Sequence, residues 1–251
     1  MIDIHTHLMP GVDDGSPSIA ASIFILQQFA ASGVKVVVCT PHLQASQAAV
    51  APHDRYTRVF ADLFAAAPSS PRLLRGWEIM LDTPGVDLTD RRLSLGGSNA
   101  VLVEFPRRHV PRAARDELTR LGACGLVPVV AHPERHRDCS AADIAGWRAA
   151  GAVIQMDVAS MVGSTRLSLL AETLLAGGLV DLCASDTHVD RRSLALVRAW
   201  LSQIAPPEAV DLLVSENARR LLANEPLLPV PRIIVRRGMF QRLREFVFDQ
   251  I

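Results

Sequence analysis

Met1-Ile2-Asp3-Ile4-His5-Thr6-His7 joins a short apolar run to two imidazoles, and the same join recurs down the chain. Further short runs rich in Val, Ile or Leu stand at Val34–Cys39, Leu73–Ile79, Ala100–Phe105, Val127–Ala131, Ala152–Met156 and Leu179–Ala184. Runs of this kind suit strands buried on both faces. Helical patterns lie between them, at Ile19–Ala31, Pro111–Leu121, Ala141–Ala149, Arg166–Ala176 and Ser193–Ile204. Repeated strand–helix units predict parallel pairing, and seven of them in one unit predict a closed α/β barrel more than an open sheet.

Polar residues punctuate the strand ends. His5 and His7 follow the first strand and His42 the second. Glu78 ends the third, Glu104 ends the fourth, His132 follows the fifth, and Asp186 and His188 follow the seventh. In a parallel barrel the strand C-termini share one face, so these scattered residues converge there. Taken alone, His5-Thr6-His7 is weak evidence: alternate strand residues point the same way, but two exposed histidines near a terminus read the same. Asp186-Thr187-His188 alone reads equally well as a helix cap. Glu78 and Glu104 carry more weight, because each stands where a core residue is expected. Buried carboxylates need partners, and a cation is an obvious one. The set together predicts a metal cluster.

Composition narrows the function. The 251 residues contain 26 Lys+Arg and 26 Asp+Glu, so no basic excess points to nucleic acid. The four cysteines (Cys39, Cys124, Cys139 and Cys183) show no Cys-x-x-Cys spacing. With no disulfide pattern and no signal-like segment, a cytoplasmic protein is expected. No apolar run approaches the roughly 18 residues of a membrane span. A cysteine-based phosphatase needs Cys-x5-Arg, but Ala45, Val130, Ala145 and Val189 stand six places after the cysteines. The Gly-x-Ser-x-Gly turn of serine hydrolases is absent too. Neither a cysteine nor a serine nucleophile is signalled, which leaves metal-assisted hydrolysis, in which a metal-bound hydroxide has its pKa lowered towards about 7.

The opening block, with Gly11-Val12-Asp13-Asp14-Gly15, resembles the polymerase and histidinol phosphatase (PHP) superfamily, specifically its bacterial capsule and exopolysaccharide tyrosine-phosphatase branch. Thr40-Pro41-His42, Gly76-Trp77-Glu78-Ile79, Glu104-Phe105-Pro106, His132-Pro133-Glu134-Arg135, Ala184-Ser185-Asp186-Thr187-His188 and Ser215-Glu216-Asn217-Ala218 fit the same pattern. The resemblance covers about residues 1–223. One departure is Asp157 in Gln155-Met156-Asp157, where the family commonly has Asn.

The resemblance implies a distorted seven-stranded (β/α) barrel of the PHP type holding three divalent ions at its strand C-terminal face. It implies that His5, His7, Glu78 and Asp186 hold the first ion. Glu78 bridges to a second, completed by Glu104 and His132; Asp14, His42 and His188 hold the third. Asp13 is a weaker candidate than Asp14. Arg135 and Arg192 face the phosphate, with Arg191 the competitor of Arg192. Mixed imidazole and carboxylate ligands suit manganese first, with iron or zinc as alternatives. Three divalent ions and one hydroxide against four carboxylates leave one net positive charge, and two ions leave one net negative charge. Only the first should attract a phosphate dianion.

The substrate implied by resemblance is phosphotyrosine on the tail of a polysaccharide-export kinase. Competing readings are a small-molecule phosphomonoesterase, acting for example on histidinol phosphate, and a metal-stabilised regulator without turnover. His53 and His109 are expected in loops and His136 on the surface. Residues 1–223 are expected to form the phosphatase unit and 224–251 a proline-containing connection and closing segment. In that segment Met239, Phe240, Leu243, Phe246, Val247 and Ile251 recur at helical spacing. It reads either as a helix packed on the barrel or as a docking element for a kinase or a second copy, so self-association stays open.

Overall fold

The computed structural model describes residues 1–106, 110–136, 138–157, 165–190 and 192–234, with backbone alone at 165–168. In chain order the elements are β1 (Ile2–Thr6), α1 (Ile19–Ala31), β2 (Val36–Cys39), β3 (His42–Gln44), α2 (His53–Ala66), β4 (Arg72–Arg75) and β5 (Glu78–Met80). Then come β6 (Ala100–Glu104), α3 (Ala114–Ala123), β7 (Val127–Ala131), α4 (Ala141–Ala149), β8 (Val153–Asp157), α5 (Thr165–Gly177) and β9 (Leu182–Ala184). The helices α6 (Leu194–Leu201), α7 (Pro207–Asp211) and α8 (Asn217–Leu222) follow.

All paired strands run parallel, in the orders β1-β2-β4 and β3-β5-β6-β7-β8-β9. The two sheets are arcs of one ring. β2 and β3 form one strand broken at Thr40-Pro41, where proline has no N–H to offer a ladder. β4 and β5 form another, broken at Gly76-Trp77. Backbone bonds cross both breaks: Gly76 N–H donates to the Cys39 carbonyl (2.9 Å) and Glu78 N–H to the Pro41 carbonyl (3.0 Å). On the far side Asp186 N–H donates to the His5 carbonyl and His7 N–H to the Thr187 carbonyl, both at 2.9 Å. These bonds tie the end of β9 to the end of β1. With each broken strand counted once, seven strands among the described residues make a distorted (β/α) barrel.

Alternation sorts the side chains into two apolar layers. Val101, Val103, Val130, Ile154, Met156 and Cys183 face the helices. Ile4, Val38, Leu102, Val129, Leu182 and Ala184 fill the interior, and Ala218 and Leu221 of α8 pack against them. On the interior face the apolar residues give way, towards the strand C-termini, to Glu104, Gln155 and Asp157. Helix ends are set locally. Ser18 and Ser193 cap α1 and α6, and Ser140 with Asp143 forms a reciprocal capping box on α4.

Three sequence expectations need correction. The run Leu73–Ile79 is two strands, interrupted at Gly76-Trp77, where Gly76 leaves no room for a side chain. A Cβ there would lie 2.7 Å from Leu95 Cδ2 and 3.2 Å from Val38 Cγ1. Glu78 therefore opens β5 instead of closing a longer strand. His53 is not in a loop but begins α2, with its ring against Trp77. His136 is buried, not on the surface, with its ring edge towards Phe105. His109, Arg191 and the apolar stripe at 239–251 lie outside the described residues. Of the connection, Val230 and Ile233 are buried against the barrel's apolar cluster.

Candidate metal centre

β1 carries His5 and His7 to the barrel rim. Its register against β2 shifts between Asp3 and Thr6, a bulge of the kind that re-aims side chains at sheet ends. The two Nε2 atoms converge to 3.2 Å. Each ring is held from behind: His5 Nδ1 lies 3.0 Å from Gln155 Oε1, and His7 Nδ1 lies 2.7 Å from Asp13 Oδ2. Those acceptors take the Nδ1 protons, so both Nε2 atoms aim into the centre. The Asp13-Asp14-Gly15 turn packs directly on His7, and a Cβ at Gly15 would sit 2.2 Å from the His7 carbonyl oxygen. Only glycine fits there, which fixes Asp13 behind His7 and Asp14 in front.

Glu78 sits at the middle. Its Oε2 lies 3.3 Å from His5 Nε2, 3.3 Å from His7 Nε2 and 2.9 Å from His42 Nδ1, and its Oε1 accepts from His132 Nε2 at 2.7 Å. Asp186 Oδ1 lies 3.2 and 3.1 Å from the same His5 and His7 atoms. On the outer side Asp14 Oδ1 is 3.2 Å from His42 Nε2 and 3.4 Å from His188 Nε2. His132 and Asp186 both take left-handed backbone, φ 32° and 47°, which non-glycine residues adopt at a cost of about 1–3 kcal/mol.

Ligand-type atoms thus fall into three overlapping groups, each within 4.8 Å: His5, His7, Glu78 and Asp186; His7, Asp14, His42 and His188; and His42, Glu78 and Glu104. All nine residues singled out in the sequence meet in this cluster. The middle group differs in detail from the expected one. His42 stands beside Glu78 and Glu104, and His132 joins through its bond to Glu78 Oε1.

The donor set fits a cation. Glu78 Oε2 and Asp186 Oδ1 are buried and accept no hydrogen bond, although imidazole nitrogens surround them at contact distance. Nitrogens and oxygens that face a common point without bonding one another have the geometry of ligands.

The electrostatics agree. Burial alone would lower His5, but Glu78 and Asp186 outweigh it and raise it to about 9. His7 is raised well above its usual value against burial, by Asp13, Asp186 and Glu78; His42 is raised against burial by Glu78. Glu78 and Asp186 are held far below the carboxylate range despite burial, His5 being the largest favourable influence on each. Glu104 moves the other way, raised by burial and by Glu78. Burial and His7 lower His188. The carboxylates draw positive charge into a buried space, and protons or metal ions supply it.

Among the described residues, two arginines border the cluster. Arg135 contacts Asp157 Oδ2 and lies 2.7 Å from Asp186 Oδ2. Arg192 lies 3.0 Å from the same Asp186 oxygen, 2.9 Å from His188 Nδ1 and 2.7 Å from Asp190. Gln155 and Asp157 were not among the expected site residues. Their signal was polar alternation on an otherwise apolar strand, with the expected strand ending one residue too early. The cysteines stand apart: burial pushes Cys39 and Cys139 up to about 12 and raises Cys183 further.

The family model described as capsular polysaccharide synthesis, CpsB/CapC, matches residues 1–223. The tyrosine-protein phosphatase YwqE of Bacillus subtilis strain 168 is 30% identical over 261 aligned residues, covering 96% of this chain and 99% of the relative. The tyrosine-protein phosphatase CpsB of Streptococcus agalactiae serotype III is 24% identical over 245 residues, covering 89% and 99%. A chain from the crystal structures of YwqE from B. subtilis and CpsB from Streptococcus pneumoniae, described as unique metal-dependent tyrosine phosphatases, superposes with a TM-score of 0.74. It is 27% identical and the match covers 94% of this chain and 100% of that one.

Proposed function

Because the chain belongs to the CpsB/CapC family of capsular polysaccharide synthesis, we propose that it is a metal-dependent protein-tyrosine phosphatase. The observation that carries this reading is the pair of buried, unbonded oxygens, Glu78 Oε2 and Asp186 Oδ1, facing two imidazole nitrogens. The proposed cofactor is three divalent ions, with manganese the first choice. His5, His7, Glu78 and Asp186 hold one ion; Glu78, Glu104 and His132 a second; Asp14, His42 and His188 a third. His42 is close enough to serve the second as well. Ions bound there supply Lewis-acid charge to the phosphoryl oxygens and acidify the attacking water.

The chain's own groups do the rest. Gln155 and Asp13 fix the tautomers of His5 and His7. Arg135 and Arg192, side by side on Asp186, turn to the non-bridging phosphate oxygens, which charge-assisted bonds hold in place. Asp157 keeps the Arg135 guanidinium at the rim. The leaving group is a phenolate, with an unperturbed pKa near 10, so it makes only a small demand for an acid. Residues 1–223 form the phosphatase unit, and 224–251 a connection and closing segment. The phosphotyrosine is on the tail of a polysaccharide-export kinase. Among the described residues no helix is long and apolar enough to cross a membrane.

Phosphate release from a phosphotyrosyl peptide and from histidinol phosphate, with and without chelator, tests this reading. Chelator-sensitive turnover of the peptide supports it. A preference for histidinol phosphate makes the chain a small-molecule phosphatase, and no turnover of either makes it a regulator.

A further inference from the structure

β3, β5 and β6 lie side by side in an aligned register. His42 pairs with Glu78 and Glu78 with Leu102; two residues on, Gln44 pairs with Met80 and Met80 with Glu104. Residues two apart on a strand share a face, so these are two successive rows on one surface, about 6.6 Å apart. The first row carries two candidate metal ligands. The second opens into a cleft of about 350 Å³ that still touches His42 and Glu104. Leu43, Pro52, Tyr56, Trp77 and Met80 form its apolar walls, and Gln44 and Gln47 are its other polar residues. Among the described residues no lysine or arginine lines it.

The cleft is preformed. Tyr56, the only tyrosine of the chain, lies with its ring 4.0 Å from that of Trp77. Trp77 Nε1 in turn donates to the Arg92 carbonyl at 3.1 Å, and the His53 ring meets the Trp77 face edge-on at 5.9 Å. Trp77 stands in the interruption between β4 and β5. On the far side of the Tyr56–Trp77 pair is a second cavity of about 400 Å³, whose lining includes Arg75, Arg91 and Arg92. Anionic groups therefore have a different place to go. What suits the first cleft is a flat, uncharged, apolar group held one step from a phosphate.

We propose that this cleft is the leaving-group subsite, and that Met80, Pro52 and Leu43, against the Tyr56–Trp77 wall, receive the phenyl ring of phosphotyrosine. The inference rests on the phosphatase reading above and adds the residues that select an aryl ester. With phosphate on the ions around Glu78, the ring lies over the Gln44–Met80–Glu104 row. Gln44 and Gln47 at the exposed rim are left for the peptide backbone. Ring selection is then a matter of apolar contact, which discriminates by about 10–200-fold per group lost from a pocket.

The test is calorimetric binding of phenylphosphonate and of inorganic phosphate to the full-length, manganese-loaded protein. Neither ligand is hydrolysed, so leaving-group chemistry does not intrude. The wild type should bind phenylphosphonate about tenfold more tightly than phosphate. Met80→Ser, at a half-buried position, should erase most of that preference while phosphate affinity stays within about twofold. Pro52→Ala, at an exposed position, should erase part of it and serves if Met80→Ser fails to fold. An unchanged preference in both variants, or none in the wild type, overturns the subsite and leaves the phosphatase reading standing. Failure of the loaded wild type to bind either ligand overturns both.

Discussion

Replacing Arg135 with alanine separates a structural role from a chemical one. The Asp157 side chain is fully buried, and Arg135, 28% exposed, brings it a cation as well as reaching Asp186 Oδ2 at 2.7 Å. Removing one partner of a buried pair costs about 3–5 kcal/mol. The partial exposure of Arg135 argues for the lower figure, about 3 kcal/mol. At roughly 2–4 °C per kcal/mol for a chain of this size, Tm should fall by roughly 6–12 °C. Arg135→Ala with Asp157→Asn replaces the buried carboxylate by a neutral amide. Most of the lost Tm should return. Turnover should not, because the charge-assisted contact to phosphate is still missing. A contact of about 1.5–3 kcal/mol corresponds to a loss of roughly 10–150-fold in kcat/KM. Calorimetry, steady-state kinetics and metal analysis on the three proteins read both effects, with metal content expected to hold. Recovery of turnover in the double variant would reduce Arg135 to a structural role. Wild-type turnover in Arg135→Ala would remove it from the site.

Other outcomes follow from the same geometry. Glu78→Gln weakens the central carboxylate, so bound metal and rate should fall together in metal analysis and phosphate-release assays. Replacing all four cysteines by serine should leave turnover largely intact once folding is verified by circular dichroism; a folded, metal-loaded, inactive variant would contradict water as the nucleophile. The histidines give a pH dependence of definite sign. His5 is raised to about 9 in the folded, metal-free protein, with His7 and His42 raised as well. Their stabilisation of the metal-free fold is present below about pH 6.5 and disappears as pH rises through the folded values. Tm of the chelated protein should therefore decline from neutral pH towards pH 10. Metal must displace those protons, so loading at pH 7 should release protons, measurable by calorimetry in buffers of different ionisation enthalpy. Loading without proton release would show the histidines neutral beforehand.

Much of this arrangement is legible in the sequence because a parallel barrel gathers strand ends on one face. The runs at Val127–Ala131 and Ile19–Ala31 coincide with β7 and α1. What was not legible depends on contacts distant in sequence. Gly76 looks like one more small residue until Leu95 and Val38 are seen pressing on it. β3 is too short, at three residues, to show a period. His136 reads as polar and exposed, and only the packing beside Phe105 reveals that it is buried. Gln155 shows only as a polar residue on an apolar strand and Asp13 only as a weaker ligand candidate, because orienting an imidazole requires only an oxygen in the right place.

The most direct measurement is phosphate release from a phosphotyrosyl peptide, followed while metal-stripped protein is titrated with manganese and bound metal is counted by mass spectrometry. Rate should be absent in the stripped protein and reach its plateau as the count approaches three ions per chain. Full turnover with one ion bound would contradict the three-ion centre, and full turnover in the stripped protein would contradict metal-dependent hydrolysis itself.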